Sequence, residues 1–441
     1  MYAKASENDS VTLRSVAFLS FDAIGGKDVM PIGGFYGPAI EGINDTTFDH
    51  YSATAFNMFQ DLGVNLLLYQ NADYNDYENR VKTLVLDLAG NRDIGVFITD
   101  KYLTNKASGG YLTTTEQMAT QMAKYDNYKA FSGIHVVDEP GSADWKPDLA
   151  AQIEYYAGAY TRLSQLGVVG SVNLNPIKDG TEEEYTNYVK YVEEFCSTCN
   201  PAYLSFDYYV WDSDTTQEGY FHNMSIIREK GQEYNIPFWS FVQAGGQWEA
   251  TNPGDLYPNE GQFNWSVNTA LACGAKGISY FPLIQPKKFA VASGESRYDL
   301  NGLIGADGSK TQWYNYAKAA NAQITAVDEY LMTAISDGII VNGSNATADT
   351  ANFTDRITGK TYNQLTGVEG EAIIGCFRYA GKTALYVTNY NTVAQDITLT
   401  FDGDYTVTCV DEGVKSDLSL TGTGTQLSLA GGEGVLLVFD K

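Results

Sequence analysis

From Val29 to about Ala320 the chain alternates short apolar runs with longer segments of helical period, and this alternation limits the fold more than any other feature. Two strands that pair in parallel need a crossover of a dozen or more residues between them, which a helix supplies. The apolar runs are Met30–Tyr36, Val64–Tyr69, Ile94–Ile98, Ile134–Val137, Val168–Leu174, Ala202–Asp207, Ile236–Val242 and Gly277–Phe281. A helix is expected over Phe48–Leu62. Two later ones are marked by one-sided spacing, through Ile153, Tyr156, Ala157, Tyr160 and Leu163, and through Tyr185, Tyr188, Val189, Val192 and Phe195. Eight such units within about 290 residues predict a (β/α)8 TIM barrel.

Beyond Lys318 the pattern changes. A helix over Ala319–Leu331 closes the barrel, and residues 342–366 are rich in Thr, Asn and Gly with little periodicity. Short strands then follow at Ala372–Phe377, Ala384–Asn389, Asp396–Phe401, Tyr405–Val410, Thr425–Leu429 and Gly434–Phe439, separated by turns such as Asp402-Gly403-Asp404. The expected organisation is a leader with an extra strand (Ser15–Phe21) over 1–28, a barrel over 29–335, a linker over 336–366, and an accessory antiparallel β-sandwich over 367–441.

The ends of the barrel strands concentrate polar and aromatic side chains. Strand two leads to Gln70-Asn71, strand four to Asp138-Glu139-Pro140, strand five to Asn173-Leu174-Asn175-Pro176, strand six to Asp207-Tyr208-Tyr209-Val210-Trp211, strand seven to Gln243 and strand eight to Pro282. In a barrel all of these ends open on one face, where the chemistry of such folds is carried out. Asp138 and Glu139 are the acids of greatest interest, because a buried strand runs directly into them and proline then stops its ladder. The same pair read as a helix N-cap would only satisfy orphan N–H groups.

Composition narrows the partners. The formal net charge of −26 argues against nucleic acid and anionic membrane surfaces. The chain has no apolar stretch of about 18 residues, so no membrane insertion is expected. Aromatics reach 13%, with 32 Tyr and 6 Trp, enough to provide flat faces on which sugar rings stack. His50, His135 and His222 form no cluster with metal spacing, and Gly25-Gly26, Gly33-Gly34 and Gly245-Gly246 match no phosphate or dinucleotide loop, so neither metal nor cofactor is expected. Cys196-Ser-Thr-Cys199 is a lone C-x-x-C near a helix end, while Cys376 and Cys409 lie on strands and are candidates to pair. Met1–Ser10 reads as a polar leader without a secretory signal.

On Pro31-Ile32-Gly33-Gly34-Phe35-Tyr36-Gly37-Pro38, Asp138-Glu139-Pro140, Ser205-Phe206-Asp207-Tyr208-Tyr209, Pro237–Gln243, Gly274–Phe281 and Asn301-Gly302-Leu303-Ile304, the chain resembles the (β/α)8 glycoside hydrolases of the large retaining clan of β-galactosidases and cellulases. The resemblance implies a secreted, periplasmic or cell-surface enzyme acting on a carbohydrate. It implies Glu139 as general acid/base, with Asp138 standing where the clan has an Asn that contacts the sugar. The clan's nucleophilic Glu at the end of strand seven is replaced by Gln243, so the second carboxylate must come from elsewhere: Asp207 is the best placed, and Glu249 is an alternative. Asp138-Glu139 also resembles the dyad of the substrate-assisted hexosaminidases, which need no enzyme nucleophile. A non-catalytic carbohydrate-binding barrel is the third reading. The expected substrate contacts are Asp138, Asn173, Tyr209, Trp211, Gln243, Trp248 and Tyr280, whereas Trp239 and His135 are expected to be barrel core.

Overall fold

The structure is a computed structural model that describes residues 28–38, 48–69, 76–100, 114–140, 149–178, 180–212, 215–245, 257–285, 301–357, 362 and 364–439. The expected strand Ser15–Phe21, Trp248 and Glu249 lie outside the described residues.

Eight parallel strands form the barrel: β1 (Ile32–Phe35), β2 (Leu66–Tyr69), β3 (Gly95–Ile98), β4 (Phe131–Asp138), β5 (Gly170–Asn173), β6 (Leu204–Phe206), β7 (Phe238–Gln243) and β8 (Ile278–Phe281). Hydrogen-bonded neighbours run β5-β4-β3-β2-β1-β8-β7-β6, and a parallel bridge from Leu174 to Phe206 closes the ring. All eight expected runs are strands. The interior is plugged by Phe35, Leu66, Leu68, Phe97, Val169, Tyr203, Trp239 and Phe241. Tyr203 and Trp239 stack with centroids 3.7 Å apart, and Phe97 lies parallel beside them. Two glycines make room for this stack: a Cβ on Gly277 would meet the Trp239 ring at 2.6 Å, and one on Gly133 would meet Phe97 at 2.6 Å. The plug forces any ligand to the mouth.

The helices between strands pack their apolar stripes on the outer surface of the barrel. Their starts are set by side-chain caps. Ser52 caps α1 (Ala53–Asp61), and Thr181 caps α5 (Glu182–Cys199) in a reciprocal box with Glu184. The first helix thus begins five residues later than expected from Phe48. The closing helix α8 (Gln312–Leu331) begins earlier than Ala319. Cys196 and Cys199 are buried at the end of α5, and burial pushes both thiols up to about 12, the opposite of a reactive C-x-x-C.

The C-terminal part is a β-sandwich of two antiparallel sheets, ordered β15-β14-β17-β12-β11-β9 and β10-β13-β16, around its own core. Its strands are β9 (Ile335–Asn342), β10 (Leu365–Glu369), β11 (Ala372–Tyr379), β12 (Lys382–Asn389), β13 (Gln395–Phe401), β14 (Tyr405–Asp411), β15 (Val414–Leu420), β16 (Thr425–Leu429) and β17 (Gly434–Phe439). The stretch 336–366 is not a free linker. It carries β9, paired along β11 through a bulge at Gly338, then α9 (Ser344–Asp349) and the start of β10. Cys376 and Cys409 are both free. The register Cys376↔Leu385, Leu385↔Leu437, Leu437↔Cys409 separates them by three strand spacings, about 14 Å at the usual 4.7–4.9 Å per strand, too far for a disulfide.

Barrel and sandwich meet across a polar seam. Arg228 of α6 (Gln217–Tyr234) donates to the Cys273 carbonyl at 2.8 Å and to Ser336 Oγ at 2.6 Å, and pairs with Asp355. Asn268 of α7 (Glu260–Ala272) donates to the Gly432 carbonyl at 2.9 Å and accepts from Tyr386 at 2.6 Å. Gln323 of α8 donates to the Val410 and Gly434 carbonyls and accepts from Gly413 N. The Lys276 ammonium donates to the Leu331 and Ala334 carbonyls at the end of α8.

Candidate active site

β4 ends at Asp138, and the chain turns at Glu139 with φ +43°, in the left-handed region. That conformation costs a non-glycine residue about 1–2 kcal/mol. Pro140 contributes by disfavouring right-handed helix at the residue before it. The Glu139 amide stays in the ladder, donating to the Asn173 carbonyl at 2.9 Å. The turn interrupts the alternation that would send consecutive side chains to opposite faces. As a result both acids act on a single neighbour, Asp207.

Asp207 follows β6 directly and is 4% exposed, while Glu139 stays open to solvent. Asn173, the last residue of β5, donates from Nδ2 to Asp207 Oδ1 at 2.8 Å and to Asp138 Oδ1 at 3.4 Å. Ser205 Oγ donates to Asn173 Oδ1 at 3.0 Å and so fixes which end of the amide faces the acids. The Asp207 carboxyl shares the cavity lining with Glu139 and Tyr209. Burial, then the charge and hydrogen bond of Glu139, then the charge of Asp138 push the Asp207 carboxyl well above the usual carboxylate range, and the Asn173 amide opposes them. Burial beside like-charged groups therefore favours the protonated form of Asp207. Burial and the same three acids raise the Tyr209 phenol, which stays a neutral hydroxyl.

These groups face a cavity of about 260 Å³ lined by Glu139, Asn175, Pro176, Lys178, Asp207, Tyr208, Tyr209, Asp212, Gln243 and Phe281. Phe281 stacks on Tyr209 with centroids 5.5 Å apart and touches Tyr36 at 5.7 Å, giving the cavity an aromatic wall. Lys178 and Asp212 form an ion pair at 3.5 Å at the rim. Gln243 ends β7 and is 5% exposed.

Of the residues singled out from sequence, Glu139, Asp207, Tyr209 and Gln243 line the cavity. Asn173 and Asp138 stand directly behind them. Tyr280 does not belong to it: the ring is fully buried outside the barrel, stacked on Phe263, with its hydroxyl on Asn321 Oδ1 at 2.6 Å. The strand pleat turns its neighbour Phe281 to the mouth instead. Trp211 is also displaced from the cavity, its indole N–H held by the Gln262 carbonyl and Ser266 Oγ at 3.0 Å each. Trp239 and His135 are buried in the barrel, and burial alone pulls the His135 ring down to about 4, keeping it neutral. Sequence reasoning missed Lys178, Asp212 and Phe281. Only Phe281 carried a usable signal, as the last residue of its strand. Among the described residues no group of three or more His, Cys, Asp or Glu side chains is disposed to hold a metal ion, and no helix is long and apolar enough to cross a membrane.

No protein-family model matches the chain, and no curated protein matches its sequence. Solved structures share its architecture. A catalytic mutant of Gan42B, a GH42 beta-galactosidase from G. stearothermophilus, is 10% identical with a TM-score of 0.61 over 93% of this chain and 98% of that one. A family 5 glycoside hydrolase from Bacteroides vulgatus is 11% identical with a TM-score of 0.57 over 96% and 94%. A beta-galactosidase from the psychrophilic Marinomonas ef1 is 12% identical with a TM-score of 0.50 over 70% of this chain, which spans 62% of its length. At such identities the likeness is one of fold.

Proposed function

We propose that this chain is a glycoside hydrolase in which Glu139 and Asp207 are the catalytic carboxyls. The observation that carries the reading is the carboxyl pair itself: a buried Asp207, its carboxyl pushed well above the usual range, and an accessible Glu139 lining one cavity at the C-terminal mouth of a plugged barrel. Glycoside cleavage needs one carboxyl that stays protonated near neutral pH to protonate the leaving oxygen, and negative charge to stabilise an oxocarbenium-like transition state. The raised Asp207 carboxyl holds a proton at the site, and Asp138 adds charge beside it. Glu139, the accessible member, is the acid that reaches the leaving oxygen. Asp207, held by Asn173, is the buried partner that keeps a proton in reserve for it.

The cavity lies at the small end of ligand clefts, roughly 300–1,000 Å³, and so fits a single sugar unit against the Phe281 and Tyr209 rings. Its acidic lining favours neutral or cationic sugars. The beta-galactosidase and family 5 folds support the same class, with sugar and linkage left to the test. That test is a panel of aryl glycosides covering common sugars and both anomers, run with Glu139→Gln as control. Hydrolysis of at least one glycoside, lost in the variant, is expected. Binding without cleavage across the panel would favour the second reading, a carbohydrate-binding barrel, for which the neutral Gln243 at the end of β7 is the supporting observation.

A further inference from the structure

We propose that Asn173 is the positioning residue of this site: its amide, locked from behind by Ser205, presents one donor group to Asp207 and Asp138 together. The inference deepens the glycosidase reading and rests on it only for the effect on turnover. Asn173 is 4% exposed at the end of β5 and stands behind the residues that line the cavity, so it meets the two acids rather than a sugar. Its backbone is pinned on both sides, by Glu139 N donating to its carbonyl at 2.9 Å and by Leu174 N donating to the Ser205 carbonyl at 2.8 Å. Only the side-chain torsions remain to aim the amide. Nδ2 donates to Asp207 Oδ1 at 2.8 Å and, in a longer contact, to Asp138 Oδ1 at 3.4 Å, while Oδ1 accepts from Ser205 Oγ at 3.0 Å. Turning the amide over would set its oxygen against the oxygens of two acids, and Ser205 holds it the other way. Asparagine suits this place because it carries a donor and an acceptor on one short, uncharged group. Aspartate there would add a fourth acid to Asp138, Glu139 and Asp207, and leucine of similar size would offer no donor.

A donor aimed at a carboxylate stabilises its ionised form. The titratable groups that act on or feel Asp207 are Glu139 and Asp138 from the β4 turn, Tyr209 from its own loop and Tyr188 from α5. The two acids push its carboxyl up, both phenols are raised by burial and stay neutral, and the Asn173 amide pulls the other way. Loss of the amide therefore raises the Asp207 carboxyl further. Loss of the Ser205 hydroxyl acts in the same direction but less, because the amide keeps its place and loses its aim. Kinetics separate this role from a sugar contact: misplaced acids lower kcat with KM unchanged, whereas a lost sugar contact raises KM.

The experiment uses the full chain with Asn173→Leu, Ser205→Ala, Ser205→Thr and the combination of Asn173→Leu with Ser205→Ala. The Asp207 carboxyl is followed by infrared pH titration, its band identified by its disappearance in Asp207→Asn, and kcat and KM are measured on the best glycoside from the panel. Asn173→Leu should move the Asp207 titration up by about one unit, the worth of a hydrogen bond to a carboxylate. It should lower kcat by about 10–100-fold, the scale of a misplaced catalytic group, with KM unchanged. Ser205→Ala should give a smaller shift of the same sign, and Ser205→Thr, which keeps the hydroxyl, should restore the wild-type titration. In the Asn173→Leu background Ser205→Ala should add nothing. An Asp207 titration unmoved by Asn173→Leu, or a loss carried by KM, overturns the assignment while leaving the glycosidase reading standing. A Ser205→Ala shift that persists in full without Asn173 overturns the lock. Wild-type protein that cleaves nothing in the panel removes the glycosidase reading, and the infrared titration still decides the role of Asn173.

Discussion

At the barrel mouth, Asp207 is 4% exposed and the acids Glu139 and Asp138 push its carboxyl up; at the seam, Arg228 is 1% exposed and meets Asp355, the Cys273 carbonyl and Ser336. Both regions take costly groups out of water. The seam matches each donor with an acceptor: Asn268 and Gln323 both donate and accept across it, and Lys276 reaches helix-end carbonyls. The mouth instead sets like charges against one another, with the Asn173 amide as a donor between Asp207 and Asp138. A buried polar group is stabilising only when its partners complement it. The seam therefore fixes the sandwich on the barrel, whereas the mouth holds a conflict that the rest of the fold must hold in place, as chemistry requires of a site that keeps an acid protonated.

Breaking each side of this contrast should give opposite signatures. The largest effect belongs to Glu139→Gln, with turnover on poor leaving groups falling about 10²–10⁴-fold, the worth of a general acid, and the circular dichroism spectrum unchanged. Next comes Arg228→Met at the seam. Removing one partner of a buried pair leaves Asp355 uncompensated and should lower unfolding free energy by about 3 kcal/mol, read by urea denaturation, with kcat little altered. A double replacement with Asp355→Leu should recover part of that loss; failure to do so would show that the seam depends on packing rather than on the pair.

Asp207→Asn should behave in the reverse sense, losing activity while gaining stability. The folded carboxyl binds its proton more tightly than the unfolded one, near pH 3.9. Stability from this group is therefore fully present below that pH and is lost as pH rises toward the raised folded value. The amide keeps an acceptor for Asn173 and offers a donor to Glu139. Thermal melts should show no gain near pH 3 and a gain of about 1–3 kcal/mol at pH 8. A loss of stability at pH 8 would mean that the mouth is not in electrostatic conflict.

The barrel was legible because strands buried on both faces read as unbroken apolar runs, and all eight run where the sequence places them. β15 (Val-Lys-Ser-Asp-Leu-Ser-Leu) was not, since it lies at a sheet edge with most side chains exposed and needs no apolar alternation. At the site, Glu139 and Asp207 could be found because strand ends define the mouth. Choosing between Tyr280 and Phe281 needed the pleat to one-residue accuracy, and a slip of one exchanges core for cavity. Trp211 is held away from the cavity lining for another reason: its partners Gln262 and Ser266 are 51 and 55 residues away and leave no local trace.

The smallest expected effect tests whether the mouth could take another acid. Gln243→Glu introduces the carboxylate that the resemblance to the retaining clan implies at the end of strand seven, beside a cavity already lined by Glu139, Asp207 and Asp212. If the site were a two-carboxylate machine lacking one part, turnover should rise. With the Asp207 carboxyl already pushed up by its acidic neighbours, the new charge instead strengthens the hold on its proton. The alkaline limb of the pH–rate profile should therefore move up by about 0.5–1 unit, with kcat at pH 7 reduced by less than tenfold. Faster turnover with an unmoved alkaline limb would place a missing nucleophile at 243.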